Sequence, residues 1–354
     1  MNDLNRSEAI LEPNLPIVDA HHHLWLIPEG VSQELDAHGS VTERAVGRLF
    51  RRYPRYLFDE LVCDLTSGHN VRATVYAETH AMYRSRGPDD IKSVGEVEFV
   101  NGIAAMGASG AFGGIQTCVG IVGGVDLRLG ARVEDVLQAH ILAGGGRYRG
   151  VRAPVVYDDD STLFGTFAVA SPHVLLDPQF REGFGCLNRL GLSFDAFVLE
   201  PQLPELLSLA RAFPETKIVL NHVGAPVGTG RYAGKRAERY PLWRENMRSL
   251  AKCENVAVKL GGLGNPFGGF HSLTSPHPLH SKQLADEWRP YIEPCIEAFG
   301  SDRGMFESNF PVDSAVCSYA TIWNVFKRLT SGASELEKLN LFGRAAERFY
   351  HLAL

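Results

Sequence analysis

Short apolar runs of strand length recur eight times along the chain, with helical stretches between them. The runs are LPIVDA, VRATVYAE, TCVGIVGGVD, YRGVRAPVV, LSFDAFVL, TKIVLNHVG, NVAVKLGG and GMFESNFP. Most are nearly continuous in apolar residues, which is typical of strands buried on both faces of a parallel sheet. Intervening stretches such as PELLSLARAF have helical periodicity. The pattern predicts an α/β protein built as a (β/α)8 barrel.

The chain is longer than such a barrel requires. It has 354 residues, whereas a (β/α)8 barrel typically needs about 250, so we expect inserted loops. The candidates are residues 30–56, the stretch GASGAFGG and the segment GGLGNPFGGFHSLTSPHPLHS after the seventh run. No repeat or linker marks a second domain, and we predict a single domain over residues 1–354. A doubly wound sheet is the alternative, but no glycine-rich phosphate motif follows the first run.

Composition narrows the class of partner. The net charge is −6 at pH 7 and the pI is near 6.1, which argues against binding to nucleic acid or to anionic membrane surfaces. No segment approaches the roughly 20 apolar residues of a membrane span, and the N-terminus lacks the features of a signal peptide. Six scattered cysteines without a CxxC pair are expected to be reduced and buried. We predict a cytoplasmic protein that acts on a small molecule, and a homodimer is permitted.

Histidines are concentrated at the end of the first run. Active sites of parallel barrels form at the carboxyl ends of the strands. Because side chains alternate along a strand, Asp19, His21 and His23 share one face and His22 takes the other. His222, which ends the sixth run, is the natural third imidazole. The sequence therefore predicts a divalent metal site, zinc for example, formed by His21, His23 and His222; polar groups that merely hydrogen-bond at strand ends are the alternative.

Other strand ends offer groups that could contact a substrate. Arg152, in the fourth run, suits a clamp for a substrate carboxylate or a donor to its carbonyl, with a rim ion pair as the alternative. Tyr76 and Glu78 end the second run and are expected to share a face toward the pocket. Trp25, two residues after His23, could form a wall beside a ring-shaped substrate, although core packing is an alternative for an aromatic residue.

Four motifs together carry a family resemblance. The ordered set VDAHHHLW, LNHVGAP, VAVKLGGL and MFESNFPVDS resembles the amidohydrolase superfamily, in the branch of 2-pyrone-4,6-dicarboxylate lactonase and the sugar lactonases. The resemblance spans about residues 15 to 350. It implies a (β/α)8 hydrolase whose histidines hold a divalent metal, zinc or manganese, or act without one as in some lactonases. Members of this family end strand eight in a motif like SDWP, and its aspartate activates water or touches the metal.

This chain departs from that motif, because SNFP places Asn309 where the aspartate would be. An amide can orient a water molecule or a carbonyl but cannot take a proton at neutral pH. Asp313, Glu307 or His222 would then be the base, and we favour Asp313 over Glu307. Glu307 could instead be a buried carboxylate paired with Lys259, which needs a counter-ion such as Glu307 or Glu78 inside its apolar strand. Asp313 could instead cap the following helix.

These features lead to one main functional hypothesis and two alternatives. The main hypothesis is a hydrolase that opens a small, carboxylate-bearing lactone or a related cyclic carbonyl compound, with Arg152 holding the anionic group. A metal-dependent decarboxylase or other lyase is the first alternative, since it needs no water-activating base and so suits Asn309. The second is a binding protein that kept the barrel and lost catalysis.

Overall fold

Eight parallel strands form one sheet in sequential order along the chain. The computed structural model describes residues 8–167 and 170–354. Each strand pairs in parallel with the next. The strands are β1 Pro16–His22, β2 Asn70–Ala77, β3 Gln116–Gly124, β4 Tyr148–Arg152, β5 Ser193–Ala196, β6 Ile218–Leu220, β7 Val256–Leu260 and β8 Gly304–Phe306. This arrangement confirms the predicted (β/α)8 barrel.

The barrel closes where the chain after β8 runs beside the end of β1. His22 and Phe310 form a parallel bridge, and the His23 amide donates to the Phe310 carbonyl at 2.7 Å. The buried Asp19 carboxylate accepts hydrogen bonds from the Ser308 amide at 2.9 Å and hydroxyl at 2.6 Å. The closure brings the SNFP motif next to the three histidines.

Helices surround the sheet. They are α1 Val31–His38, α2 Val41–Arg52, α3 Phe58–Leu65, α4 Val94–Ala108, α5 Val133–Ala143, α6 Ser161–Phe164, α7 Pro178–Arg189, α8 Leu203–Ala212, α9 Arg236–Ala251, α10 Ser281–Phe299, α11 Tyr319–Leu329, α12 Glu335–Leu339 and α13 Ala345–Tyr350. The expected inserted loop at residues 30–56 is mostly helical, because it contains α1 and α2. Ser40 and Glu43 form a capping box that starts α2.

The last helix closes the amino-terminal end of the barrel. Residues of α13 pack with the inward-facing apolar side chains of the strands, among them Val18, Val75 and Met305. Tyr350 is 1% exposed and its hydroxyl reaches Asp195 in β5. The opposite, carboxyl end of the barrel is therefore the end at which a substrate can enter. In the described parts of the chain, no helix has the length and apolar character required to cross a membrane.

Candidate active site at the carboxyl end of the barrel

Two of the three consecutive histidines meet inside the mouth of the barrel. The Nε2 atoms of His21 and His23 lie 3.1 Å apart. His22 points to the other side, where its Nε2 lies 2.8 Å from the Thr74 hydroxyl and burial lowers its pKa to about 4. Asp19 is predicted to share the face of His21 and His23, but its carboxylate accepts hydrogen bonds from the Ser308 and Tyr319 hydroxyls. Of these four residues, His21 and His23 lie in the mouth of the barrel.

The hydrogen bonding of His23 fixes its tautomer. Its Nδ1 lies 2.9 Å from the carbonyl oxygen of Ala77, and a carbonyl can only accept, so Nδ1 carries the proton. Burial and the nearby Arg152 guanidinium hold the pKa of His23 well below 6.5. Burial and the Lys259 ammonium do the same for the pKa of His21. His23 is therefore neutral at pH 7 and presents an Nε2 lone pair to the site.

Glu307 joins two of the imidazoles from below. Its Oε1 accepts hydrogen bonds from the Nδ1 of His222 at 2.8 Å and from the His222 amide at 3.1 Å. Its Oε2 lies 3.0 Å from the Nδ1 of His21 but is poorly aligned for a hydrogen bond, and this buried oxygen has no hydrogen-bond partner. A carboxylate in this position orients imidazoles whose other nitrogens face a ligand.

Lys259 pairs with a carboxylate that the sequence analysis did not consider. Its Nζ lies 2.6 Å from Asp195 Oδ2, with both side chains fully buried, and 3.2 Å from the Nδ1 of His21. The Tyr350 hydroxyl donates to Asp195 at 2.8 Å. The expectation that Glu307 or Glu78 neutralises Lys259 was wrong, because β5 and β7 bring Asp195 and Lys259 together across the barrel interior.

Asn309 and Asp313 form a connected pair at the edge of the site. Asn309 Oδ1 lies 3.3 Å from His23 Nε2, and Asn309 Nδ2 donates to Asp313 Oδ1 at 2.8 Å. Asp313 is fully buried and also accepts from the Gly264 amide at 3.3 Å; burial raises its pKa to about 8. It does not cap α11, because the Ser318 side chain does so.

Arg152 lies at the mouth of the barrel, and its Nη1 group is not bound to Glu78. Its Nε donates to Glu78 Oε1 at 2.7 Å and its Nη2 donates to the Glu78 carbonyl. Its Nη1 lies 3.4 Å from the Nε2 of His21. Arg152 is thus an ion-pair partner whose remaining N–H groups face the imidazoles. Glu78, as expected, lies near the pocket, directly after the end of β2 at Ala77.

Phe197 is a site residue that the sequence analysis missed. Its half-buried ring lies 5.4 Å from the Arg152 guanidinium carbon and 5.4 Å, edge to face, from the His222 ring. It directly follows β5, which ends at Ala196, and the rule that located the other groups, polarity at a strand end, does not select an aromatic residue. Its ring forms an apolar wall between the cationic and imidazole groups of the mouth.

Two expected substrate contacts lie elsewhere. The Tyr76 hydroxyl donates to Glu96 at 2.9 Å, in the helical layer. β2 ends at Ala77, so strand alternation does not carry Tyr76 and Glu78 to the same face. The Trp25 indole donates to the Tyr53 carbonyl at 2.8 Å and is 3% exposed. Trp25 is therefore a core residue, and neither aromatic side chain lines the mouth as expected.

The residues of the mouth suit a divalent metal ion. His21, His222 and Glu307 each offer a ligand atom, and these atoms all lie within 4.8 Å of one another. His23 adds its Nε2 lone pair beside them. Imidazole nitrogen with carboxylate oxygen is a donor set typical of zinc and also accepted by manganese. The unpartnered, buried Glu307 Oε2 is an acceptor that a cation would satisfy.

Comparison with known proteins assigns the chain to a family. Residues 18–352 match the family described as amidohydrolase. The uncharacterized protein y4mH of Sinorhizobium fredii is 33% identical over 340 residues, which make up 96% of this chain and 99% of that protein. An L-fucono-1,5-lactonase of Burkholderia ambifaria is 31% identical over 192 residues, 54% of this chain and 55% of the lactonase.

Solved structures share the fold. A zinc-bound amidohydrolase of Burkholderia multivorans has a TM-score of 0.70 at 23% identity, covering 95% of this chain and 99% of its own. A manganese-bound 5-carboxyvanillate decarboxylase of Novosphingobium aromaticivorans has a TM-score of 0.60 at 12% identity, covering 96% and 97%. At such identities the likeness concerns the fold alone. Through its match over nearly all of its length, the chain belongs to the amidohydrolase family.

Proposed function

We propose that this protein is a hydrolase that opens a small, carboxylate-bearing lactone. The observation that carries the proposal is the convergence of two imidazoles and one guanidinium at a single point. His21 Nε2 lies 3.1 Å from His23 Nε2 and 3.4 Å from Arg152 Nη1. A carbonyl group that approaches this point from the mouth meets a hydrogen-bond donor and imidazole nitrogens together. Similarity to a lactonase over about half of the chain supports the substrate class.

Arg152 supplies the positive charge for binding and for the transition state. Its Nε and Nη2 are held by Glu78, so the guanidinium is fixed and its Nη1 hydrogens remain available. They donate to a substrate carboxylate, or to the carbonyl oxygen as negative charge develops there during water attack. The Phe197 ring beside Arg152 packs against the ring of the lactone.

His222 is the proton acceptor that the geometry favours. Glu307 Oε1 holds its Nδ1 at 2.8 Å, which leaves Nε2 as the acceptor and stabilises an imidazolium. Asp313 is less suited because both of its oxygens accept hydrogen bonds and it lies behind Asn309. Water attacks the carbonyl carbon, His222 takes its proton, the ester C–O bond breaks, and His222 returns the proton to the leaving alkoxide.

A divalent metal would be held by His21, His23 and His222, with Glu307 as a further oxygen donor. When bound, such an ion polarises the carbonyl and lowers the pKa of water to about 7, so a strong separate base is not required. In that case Glu307 and Ala77 keep the imidazoles in their binding tautomers.

A hydrolysis assay with a panel of lactones tests this function. The panel pairs acid-bearing lactones with sugar lactones, and proton release is followed together with incorporation of ¹⁸O from labelled water. His222→Gln is expected to lower kcat/KM by about 10²-fold or more, the usual contribution of a general acid–base group. His173→Gln, at an exposed histidine, is the matched control. A panel in which no lactone is opened, or a fully active His222→Gln variant, would contradict the proposal.

Decarboxylation is a second candidate, favoured by one observation. Asn309 stands at the edge of the site, where the family motif has a carboxylate, and a decarboxylase needs no base to activate water. The same fold occurs in a decarboxylase. Release of carbon dioxide from an aromatic carboxylate without ¹⁸O incorporation would identify this reaction.

A further inference from the structure

The Asp313 carboxyl determines which atom of the Asn309 amide faces the histidines. Asp313 Oδ1 accepts from Asn309 Nδ2 at 2.8 Å. Asp313 Oδ2 accepts the amide of Gly264 at 3.3 Å, so the carboxyl is held from two sides. A carboxyl oxygen in this position accepts a hydrogen bond from the amide nitrogen, and the amide oxygen must then point the other way.

The consequence is an unusual meeting of two acceptors. Asn309 Oδ1 lies 3.3 Å from His23 Nε2, and His23 has its proton on Nδ1, facing Ala77. Two buried lone pairs directed at each other are unfavourable unless a positively polarised group lies between them or beside them. An amide turned by 180° would donate to His23 and remove the conflict, but the Asp313 carboxylate would then face the amide oxygen, a contact that is unfavourable as long as the carboxyl is ionised.

The backbone near Asp313 is shaped to keep it in place. A Cβ atom at Gly264 would come within 2.8 Å of the Asp313 carboxyl carbon, so only glycine lets the carboxyl reach this position. Asn309 itself has a φ of 52°, a left-handed conformation that asparagine tolerates better than most residues. Both residues are at most 1% exposed.

We propose that Asp313 is a positioning residue that holds the Asn309 carbonyl oxygen toward His23, so that Asn309 Oδ1 and His23 Nε2 together receive a positively polarised group. That group is a divalent cation or a proton of the attacking water. The inference rests on the proposed function for its role in turnover. A strand-eight aspartate combines an oxygen donor and a carboxyl group in one side chain. In this protein Asn309 supplies a neutral oxygen donor and Asp313 supplies the carboxyl group.

Zinc binding to the metal-free protein tests the proposal without turnover. The measurement is calorimetric titration with the metal alone at fixed pH. Asp313→Asn is expected to weaken binding by about tenfold or more, as for other partners that orient metal ligands, because the new amide can donate to Asn309 and let it turn. Asp286→Asn, on the exposed side of α10, is the control and should bind as the wild type does.

A charge-conserving exchange separates orientation from general damage. In Asn309→Asp/Asp313→Asn the carboxylate and the amide trade places, so an oxygen again faces His23 without any need for orientation. Zinc affinity is expected to recover at least to that of the wild type. Equal zinc affinity in wild type and Asp313→Asn, or a folded exchange variant that binds no better than Asp313→Asn, would overturn the proposal.

The ¹⁵N spectrum of histidine-labelled protein gives a second readout in the absence of metal. In the wild type the His23 Nε2 signal should be that of an unprotonated nitrogen that receives no hydrogen bond from residue 309, and its contact with His21 Nε2 is the same in both proteins. In Asp313→Asn it should shift toward the hydrogen-bonded position, since the Asn309 NH2 group then donates to it. An unchanged signal would refute the role of Asp313. Because neither readout needs a substrate, an inactive wild type would count against lactone hydrolysis alone.

Discussion

Lys259 and Asp195 form an ion pair in the centre of the barrel, with Nζ and Oδ2 2.6 Å apart and both side chains fully buried. The pair lies directly beneath the site, since Lys259 also contacts the Nδ1 of His21. A buried pair is stable only if its remaining donors and acceptors are satisfied. Here Tyr350 of the last helix provides that hydrogen bond to Asp195.

Tyr350→Phe is therefore expected to destabilise the protein from the far end of the barrel. The change removes a hydroxyl that donates to Asp195 and leaves a buried carboxylate short of a partner, at a cost of about 1–3 kcal/mol. Urea unfolding measures this cost. Tyr157→Phe is the control, because the Tyr157 hydroxyl donates to Asp159 in an exposed contact and its loss should matter by about 0.5 kcal/mol at most. Equal effects of the two changes would show that the Asp195 contact is unimportant.

Glu307→Gln is expected to weaken metal binding by about 10- to 100-fold, the usual effect of losing a carboxylate that orients histidine ligands. The NH2 end of the amide would replace either the oxygen that accepts from His222 or the unpartnered oxygen that is available to a cation. The measurement is metal content by elemental mass spectrometry after dialysis against a chelator. Glu335→Gln, at an exposed position on α12, is the control. If Glu307→Gln retained all of its metal, the imidazoles would hold their orientation without the Glu307 carboxylate, and the prediction would be wrong.

Arg152→Lys should distinguish charge recognition from carbonyl activation. Lysine cannot hold Glu78 with two groups and still direct a donor to the mouth. For an acid-bearing lactone, KM should rise by roughly tenfold, equivalent to about 1.4 kcal/mol, while kcat changes less. The methyl ester of the same lactone serves as the control substrate. If kcat falls equally for acid and ester, Arg152 acts on the carbonyl and not on the carboxylate.

His69 predicts a pH dependence of stability that is independent of the active site. Burial lowers its pKa to about 4, from 6.5, and it lies between the Ala320 carbonyl and the Lys327 ammonium. Between pH 6.5 and 4 the unfolded chain binds a proton that the folded chain does not, so acid destabilises the fold. The free energy of unfolding of His69→Gln, relative to wild type, should therefore rise as pH falls from 6.5 to 4. The measurement is urea unfolding across that range; a pH-independent difference would contradict it.

The sequence was sufficient for the architecture because apolar runs mark buried parallel strands even when they are short. Two of the eight, Ile218–Leu220 and Gly304–Phe306, have only three residues in regular strand. Their flanking polar residues still indicated the mouth, and His21, His23, His222 and Arg152 do lie there. The rule works because all parallel strands of a barrel end on the same side.

The misplaced residues share a physical cause. Tyr76 follows the inward-facing Val75 within β2 and so faces the helices. Glu78 lies beyond the end of β2, where this alternation no longer holds, and sequence patterns locate strand ends poorly. The pairing of Lys259 with Asp195 depends on distances across the barrel interior between β5 and β7, which are not neighbours in the sheet. Neither relationship is local in sequence, so the hydrophobic pattern contains no signal for it.

The closure of the barrel also affects how the protein acquires activity. The bond between Asp19 and Ser308 joins residues 289 positions apart, and the same junction brings Asn309 to His23. One wall of the site is thus made early in synthesis and the facing wall near its end. A nascent or truncated chain that lacks the eighth strand would have its histidines exposed and no catalytic geometry, so enzymatic turnover reports on the completed barrel and on nothing shorter.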